Sequence, residues 1–374
     1  MARTDVFIVG GGPAGLAAGI AARQKGFRVT VADAAIPPAD KACGEGLMPD
    51  ALAALSALGV SSGAADSFPF WGVRFLDQRT SVEAKFPQGC GRGVRRTTLH
   101  RILIEHAQAV GVQMHWGAQL DLNRLDCRWL IGADGENSLV RRWAGLDERI
   151  FDRRRFGFRR HYQIEPWSDY MELYWGRNCQ VYVTPVASDT VCVATISRDS
   201  KLRLDAALYE FPALQRRLES APKLSSERGS VTASRRLQRV YRGHVALVGD
   251  ASGSVDAITG EGLCLAFRQA AALADALESG DLAAYQRQHR KIARRPQWMA
   301  RVLLSLGDHA VARRIALLAM QAQPKIFSAL LAAHVGAFHE IHLSDFARGR
   351  SRIAGPGDGR GIESGSDARG VHAE

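Results

Sequence analysis

The feature that most constrains this chain is a glycine-spaced turn set between two apolar runs. Asp5 to Val9 is a short apolar segment, a buried parallel strand by its pattern. Gly10, Gly12 and Gly15 follow with the spacing G-x-G-x-x-G. Gly10 permits a tight strand-to-helix turn. Gly12 lets a pyrophosphate approach the backbone, and Gly15 lets the helix pack close to the sheet. Pro13 and Ala14 open an Ala- and Leu-rich helix to about Lys25, with Gly26 as its stop. The free N–H groups and dipole at that helix start suit phosphate. Phe27 to Val31 reads as the second strand, and Asp33 lies about twenty residues beyond the glycines, where a carboxylate accepts from ribose hydroxyls. Strand, glycines, helix, strand and acid in register specify a dinucleotide-binding βαβ unit. An acid at Asp33 does not separate FAD from NAD.

Two later strand-turn units narrow the choice. Trp129 to Ala133 is an apolar strand ending at Asp134-Gly135, with Ser138 and Arg141 on the following turn and helix start. His244 to Val248 is another, ending at Gly249-Asp250, where a carboxylate can accept from ribityl hydroxyls. Thr259-Gly260-Glu261-Gly262 then opens an Ala/Leu helix to about Leu277, a second helix N-terminus available to a cofactor.

The three motifs in this order resemble the p-hydroxybenzoate hydroxylase-like flavoproteins, the single-component flavoprotein monooxygenase superfamily. Lys41-Ala-Cys43-Gly44-Glu-Gly46-Leu47 is similar to the Cys-Gly loop of the geranylgeranyl reductase-like branch. Asp256-Ala-Ile-Thr259-Gly260-Glu261-Gly262 is similar to its Asp-Pro-x-Thr-Gly-Glu-Gly signature, with Ala257 in place of proline. The resemblance covers about residues 1–290. It implies FAD as cofactor, held by Gly10, Gly12, Pro13, Ala14, Gly15, Asp33, Lys41, Cys43, Gly44, Asp134, Gly249, Asp250, Gly260 and Gly262. In the family a basic or amide side chain near Arg95-Arg96 reaches the flavin's phosphate or ribityl portion, which implies Arg96 here. Cys43 either sits near the flavin ring or is a small residue that permits a tight loop. No catalytic residue is assigned.

The expected fold is α/β: a Rossmann-like FAD-binding domain with a parallel sheet, an antiparallel β-sheet substrate domain and a C-terminal helical region. The FAD domain is discontinuous, from 1–70, 91–150 and 235–290. Residues 71–90 and 151–234 alternate at period two and form the substrate domain. Its strands are expected at 71–75, 81–86, 159–165, 170–174, 180–185 and 190–197. One face of that sheet, with Tyr162, Tyr174, Tyr182 and Trp175, offers a pocket lining, while packing in the core or at the surface is the leading expectation for any one of these aromatics. Residues 291–346 are helical and apolar, by default a cap on the substrate domain, and 347–374 read as a disordered tail.

Lys and Arg total 49 against 38 Asp and Glu, an excess concentrated near Arg141–Arg160 and Arg287–Arg314. No groove-reading module accompanies these clusters, so nucleic acid is not expected. Solvated faces are the default reading. Attraction of NADPH phosphates is an alternative for the first cluster, and peripheral contact with an anionic membrane through 287–341 for the second. The six cysteines show no metal spacing and suit a reducing compartment. No signal peptide or 18-residue apolar run is evident, so the expected location is cytoplasmic, with or without peripheral membrane contact. His339-Glu-Ile-His342 is not H-E-x-x-H, and no metal is expected.

Only one glycine-rich fingerprint is present. NAD(P)H therefore visits transiently, or another protein supplies electrons. The leading expectation is hydroxylation of a hydrophobic substrate, phenolic or lipid-like, using NAD(P)H and O₂. The alternatives are ene-reduction of an isoprenoid or lipid, and a non-catalytic FAD-binding sensor. The oligomeric state is not legible.

Overall fold

A computed structural model of the chain describes residues 4–336, apart from 62, 64 and 65. The tail, His339 and His342 lie outside the described residues. The first sheet has six strands in the order β15-β16-β9-β1-β2-β8. These are β1 (Thr4–Val9), β2 (Val29–Asp33), β8 (Gln113–Trp116), β9 (Cys127–Gly132), β15 (Tyr241–Arg242) and β16 (Val245–Leu247). All neighbours are parallel except β15 with β16. Val6, Ile8, Val31, Ile131 and Leu247 are completely buried, as continuous apolar strands covered on both faces must be. β2 starts two residues later than its sequence pattern suggests. Gly26 turns the chain with φ +83°, and the Phe27 N–H closes the helix end onto the Ala22 carbonyl before pairing begins.

Helices α1 (Pro13–Gln24), α3 (Arg96–Ala109) and α7 (Gly262–Ser279) share one apolar core with this sheet and with α2 (Pro49–Ala57). The short α4 (Leu139–Trp143) follows β9. A small three-stranded sheet of β3 (Gly46–Leu47), β4 (Phe68–Phe70) and β7 (Gly91–Gly93) lies between the larger ones in sequence.

The second large sheet has seven strands in the order β14-β10-β13-β12-β11-β5-β6. These are β5 (Gly72–Leu76), β6 (Ser81–Lys85), β10 (Arg149–Gln163), β11 (Tyr170–Trp175), β12 (Cys179–Ala187), β13 (Thr190–Ser197) and β14 (Arg228–Leu237). It is antiparallel except where β11 meets β5, which run parallel. The basic run does not form a purely solvated face. From Arg149 onward it is the 15-residue strand β10, paired on both sides, and Arg155, Arg159 and Arg160 are buried in ion pairs. Arg149, Arg153 and Arg154 remain exposed.

The proposed aromatic face is also corrected. Tyr174 and Trp175 are consecutive, so a pleated strand sends them to opposite faces. Tyr162 and Tyr174 pack under α5 (Leu204–Leu208) and α6 (Pro212–Glu219). Tyr182 and Trp175 face inward, against Ile258 and Met299. Three helices follow α7: α8 (Leu282–Asp308), α9 (Ala310–Ala322) and α10 (Pro324–His334). Leu317, Met320, Phe327 and Leu331 of α9 and α10 pack on Val82, Phe86 and Met171. Among the described residues no single helix is long and apolar enough to cross a membrane.

Candidate active site

Because β16, β9 and β1 are parallel neighbours, their C-terminal ends lie side by side. Those ends carry Gly10–Gly12, Asp134–Gly135 and Gly249–Asp250, so one rim gathers all three motifs. Crevices at such rims are where open α/β sheets bind ligands.

The glycines of the first turn have different reasons. A Cβ on Gly10, whose φ is +111°, would strike the Ala133 carbonyl, and a Cβ on Gly15 would strike the Gly10 carbonyl. Gly12 differs: no protein atom lies within 4 Å of its Cβ position. It caps α1 with no side-chain cap, and the first turn holds no acid. The first N–H groups of α1 are therefore unclaimed by any side chain and border open space. Asp33 accepts from the Gly11 N–H at 2.6 Å and the Ala35 N–H at 2.8 Å, which pins the turn. His100, which the sequence reading passed over, stands 2.8 Å from the Gly11 carbonyl through Nε2, and its Nδ1 accepts from the Ala39 N–H at 3.0 Å. That pattern requires the neutral ring with hydrogen on Nε2, and burial lowers the His100 pKa accordingly.

The second motif is strapped to the third. One Asp134 oxygen accepts from the Leu139 and Val140 N–H groups at 2.6 and 3.1 Å, while the other is buried without a protein partner. Ser138 caps α4. Arg141, only 1% exposed, bonds the Glu136 carbonyl, the Ala251 carbonyl and the Asp147 carboxylate. Arg235 pairs with the Glu136 carboxylate at 2.7 Å. Burial pushes the Glu136 carboxyl up, against the pull of Arg235. Gly249, with φ +63°, has no room for a Cβ because Ala14 of α1 is 2.5 Å from that position. Asp250 meets Lys41 at 3.4 Å, both half-exposed. Lys41 thus joins the rim from the loop after β2.

The Cys43–Gly46 loop turns on Glu45, the one non-glycine residue with positive φ among those described, at +58°. Such a conformation persists only where the surroundings hold it. Here Glu45 accepts from the Arg96 N–H at 2.9 Å and meets His161 Nε2 at 2.7 Å, with both side chains at most 2% exposed. His161 Nδ1 lies 3.1 Å from Ser225 Oγ and 3.2 Å from Arg159, which pairs with Asp40. Thr184 donates to the Gly44 carbonyl at 2.8 Å. Cys43 Sγ accepts from the Glu45 N–H at 3.4 Å. Glu45 donors and acceptors were not read from sequence. The available signal was a carboxylate between two glycines. The cluster Glu45, His161 and Cys192 has metal-ligand atoms close together, but the Arg159 guanidinium beside His161 opposes a cation there.

The third loop is fixed by Asp256, which pairs with Arg155 at 2.9 Å and accepts from the Ile258 N–H. Gly260 has φ +68°, with the Met48 methyl 3.2 Å from its Cβ position. Glu261 is buried between Arg295 and His334, and burial raises its pKa. Gly262 opens α7 into free space.

Behind Gly249, Gln269 accepts from its N–H at 2.9 Å, and His289 Nε2 lies 2.9 Å from Ser252 and 3.1 Å from the Gln269 amide nitrogen. Burial lowers the His289 pKa from 6.5 to about 4. The folded state therefore resists a proton that the unfolded chain accepts. Stability from this site is full above about pH 6.5 and declines as pH falls toward 4, by at most about 3 kcal/mol. Urea midpoints at neutral and mildly acid pH should separate the parent from His289→Gln, with the variant losing less on acidification.

FAD fits this rim. Gly12 leaves the space a pyrophosphate would fill, and the side-chain Nε atoms of Arg95 and Arg96 and one oxygen of Asp134 are buried without protein partners. The comparisons agree. Over 355 residues the chain is 29% identical to a menaquinone reductase of Mycobacterium tuberculosis, covering 84% of this chain and 83% of that protein. It is 26% identical over 315 residues to YetM of Bacillus subtilis, described as a candidate FAD-dependent monooxygenase, covering 73% of this chain and 84% of that one. The flavoprotein/dehydrogenase structure from Cytophaga hutchinsonii superposes with a TM-score of 0.76 at 18% identity, over 89% of this chain and 93% of that one. The sequence model of the FAD binding domain family matches residues 3–124 and 121–280, so the chain belongs to that family.

Proposed function

We propose that this FAD-dependent oxidoreductase is a reductase that adds two hydrogens across a carbon–carbon double bond of a hydrophobic, isoprenoid- or quinone-type substrate, with NAD(P)H as electron source. Gly12, the start of α1 and Asp33 would hold the ADP half of FAD. Arg96, Asp134, Lys41 and Asp250 would hold the pyrophosphate-to-ribityl portion, and the Cys43–Gly44 loop with Gly260 and Gly262 would border the ring. When bound, FAD supplies the hydride chemistry.

Reduction needs a proton beside the hydride. The observation that carries this reading is the buried pair His161 Nε2–Glu45 Oε2, 2.7 Å apart, at the seam between the Cys43–Gly46 loop and the inner sheet face. We assign it to holding that proton. Phe70, Met171 and Phe327 form an apolar cluster near the same loop, where a Cβ on Gly46 would stand 3.0 Å from the Met171 sulfur. The menaquinone reductase relative supports the substrate class. Hydroxylation remains the second reading, favoured by the intact Asp134–Gly135 turn and by the YetM likeness.

The test offers prenylated quinones and phenols with NADPH, once anaerobically and once in air. A product heavier by two hydrogens, formed without O₂, supports reduction. A product heavier by one oxygen, with matching O₂ uptake, replaces it with hydroxylation. His161→Gln should lower turnover by roughly 10²-fold while FAD is retained, since a positioned acid contributes about that much.

Asp250→Ala should weaken FAD by roughly 10- to 100-fold, because a charge-assisted hydrogen bond is worth about 1.5–3 kcal/mol. Its exposed pair with Lys41 adds little to stability, so the melting temperature should barely move. Equilibrium dialysis against FAD checks both.

A further inference from the structure

The C-terminal helices expose what a surface helix normally hides. On α9, Val311, Ile315 and Leu318 recur at i, i+4 and i+7, and are 74%, 63% and 46% exposed. The opposite face of the same helix buries Leu317 and Met320 against the second sheet. A helix apolar on both faces is expected in a core, not at a surface. Ile326 on α10 and Trp298 on α8 extend the exposed apolar set.

The charge of this C-terminal helical stretch is one-sided. From Leu282 to His339 the chain holds nine Lys and Arg residues and a single carboxylate, Asp308. Asp308 is already paired with Arg198 at 2.8 Å. Arg295 is committed to Asp50 and Glu261, and Arg313 to two backbone carbonyls. Lys291, Arg294, Arg301, Arg314 and Lys325 make no hydrogen bond or ion pair among the described residues. Arg294 and Arg301 stand four residues before and three after Trp298, on its face of α8.

We infer that this surface docks the protein on an anionic lipid bilayer, with α9 lying in the interfacial plane. Exposed apolar residues with uncompensated cations beside them are what an anionic lipid surface takes up. A second copy of the chain complements this face poorly, since docking it would bring two cation-rich, carboxylate-poor surfaces together. The inference goes beyond the proposed reaction and does not depend on it.

The test uses the full chain loaded with FAD and flotation with vesicles of phosphatidylcholine, with or without phosphatidylglycerol. The expected result is binding to the anionic vesicles only, falling as salt shortens the screening length to about 8 Å. Two variants separate the contributions. Arg294→Glu with Arg301→Glu and Arg314→Glu should weaken binding at least ~10-fold, and Ile315→Asp with Leu318→Asp should do the same. Both should keep FAD, because neither touches the motif rim. Absence of flotation overturns the inference, as does flotation unaffected by both variants. A dimer in sedimentation velocity that Ile315→Asp with Leu318→Asp dissolves also overturns it and assigns the face to a second copy. Turnover of a short-prenyl substrate without vesicles is measured in parallel. Lost flotation with intact turnover removes only the docking surface, and lost turnover with intact flotation leaves it standing.

Discussion

Gly12→Val should yield a folded protein that purifies without colour. The backbone at Gly12 has φ −72° and ψ 177°, an extended conformation that valine adopts readily. No protein atom lies within 4 Å of the new Cβ, so the fold itself has no clash to relieve. The cost falls on the ligand. A branched side chain at the cap of α1 would occupy the approach to its free N–H groups and deny the pyrophosphate at least two charge-assisted hydrogen bonds. At about 1.5–3 kcal/mol each, FAD affinity should fall by roughly 10²- to 10⁴-fold. The absorbance ratio of purified protein and a titration with added FAD measure this, with circular dichroism as the check on folding. A variant that stays yellow would place the cofactor elsewhere.

Asp256→Leu should damage the fold rather than the cofactor contacts directly. Asp256 is 3% exposed and Arg155 is 6% exposed. Their ion pair at 2.9 Å, with the Asp256 bonds to Ser234 Oγ and the Ile258 N–H, fastens the loop before α7 to the second sheet. Leaving the Arg155 charge buried and unpaired should cost about 3–5 kcal/mol. The melting temperature should drop by roughly 5–15 °C. The double variant Asp256→Leu with Arg155→Met removes both charges and should recover a large part of the loss, since the expensive species is the lone charge rather than the missing pair. Equal stability of single and double variants would mean that Arg155 is satisfied by Gln180 and the Ile196 carbonyl alone.

The glycine turns at the rim of the first sheet were legible because their spacing is a local pattern, even though the contacts that exclude a side chain at Gly10 and Gly249, with Ala133 and Ala14, are long-range. Gly10, Gly15 and Gly249 are glycines for backbone reasons that leave a mark at fixed offsets from apolar strands, and the family resemblance rests on those offsets. Most strands of the second sheet were legible from alternation, but β14 was missed and only the last five residues of β10 were read, since its ten upstream residues carry arginines at positions that look solvent-facing. Only the fold shows that Asp256, Asp40 and Asp205, far away in sequence, neutralise Arg155, Arg159 and Arg160. Glu45 was missed for the same reason. Its partners Arg96 and His161 lie 51 and 116 residues away. The split of Tyr174 from Trp175 needed no structure, since the pleat alone forbids them a common face. Long-range charge pairing was the part that sequence patterns could not reach.

The strand order of the first sheet also governs how the chain can come together. β9 sits between β1 and β16, so Val6 pairs with Trp129, and Ile131 pairs with Ala246. Each contact closes a loop of more than a hundred residues, and the second sheet's strands are threaded between the pieces. During synthesis the glycine turn emerges early, yet its neighbours at Asp134 and Gly249 do not exist until much of the chain has left the ribosome. Loop length adds little to the equilibrium cost, about 0.6 kcal/mol per doubling. It weighs on the rate, because distant pairings must be found before burial rewards them. Assembly of the rim proposed to hold FAD is therefore a late event, and a chain interrupted before β16 holds the glycine turn without the neighbouring strand end.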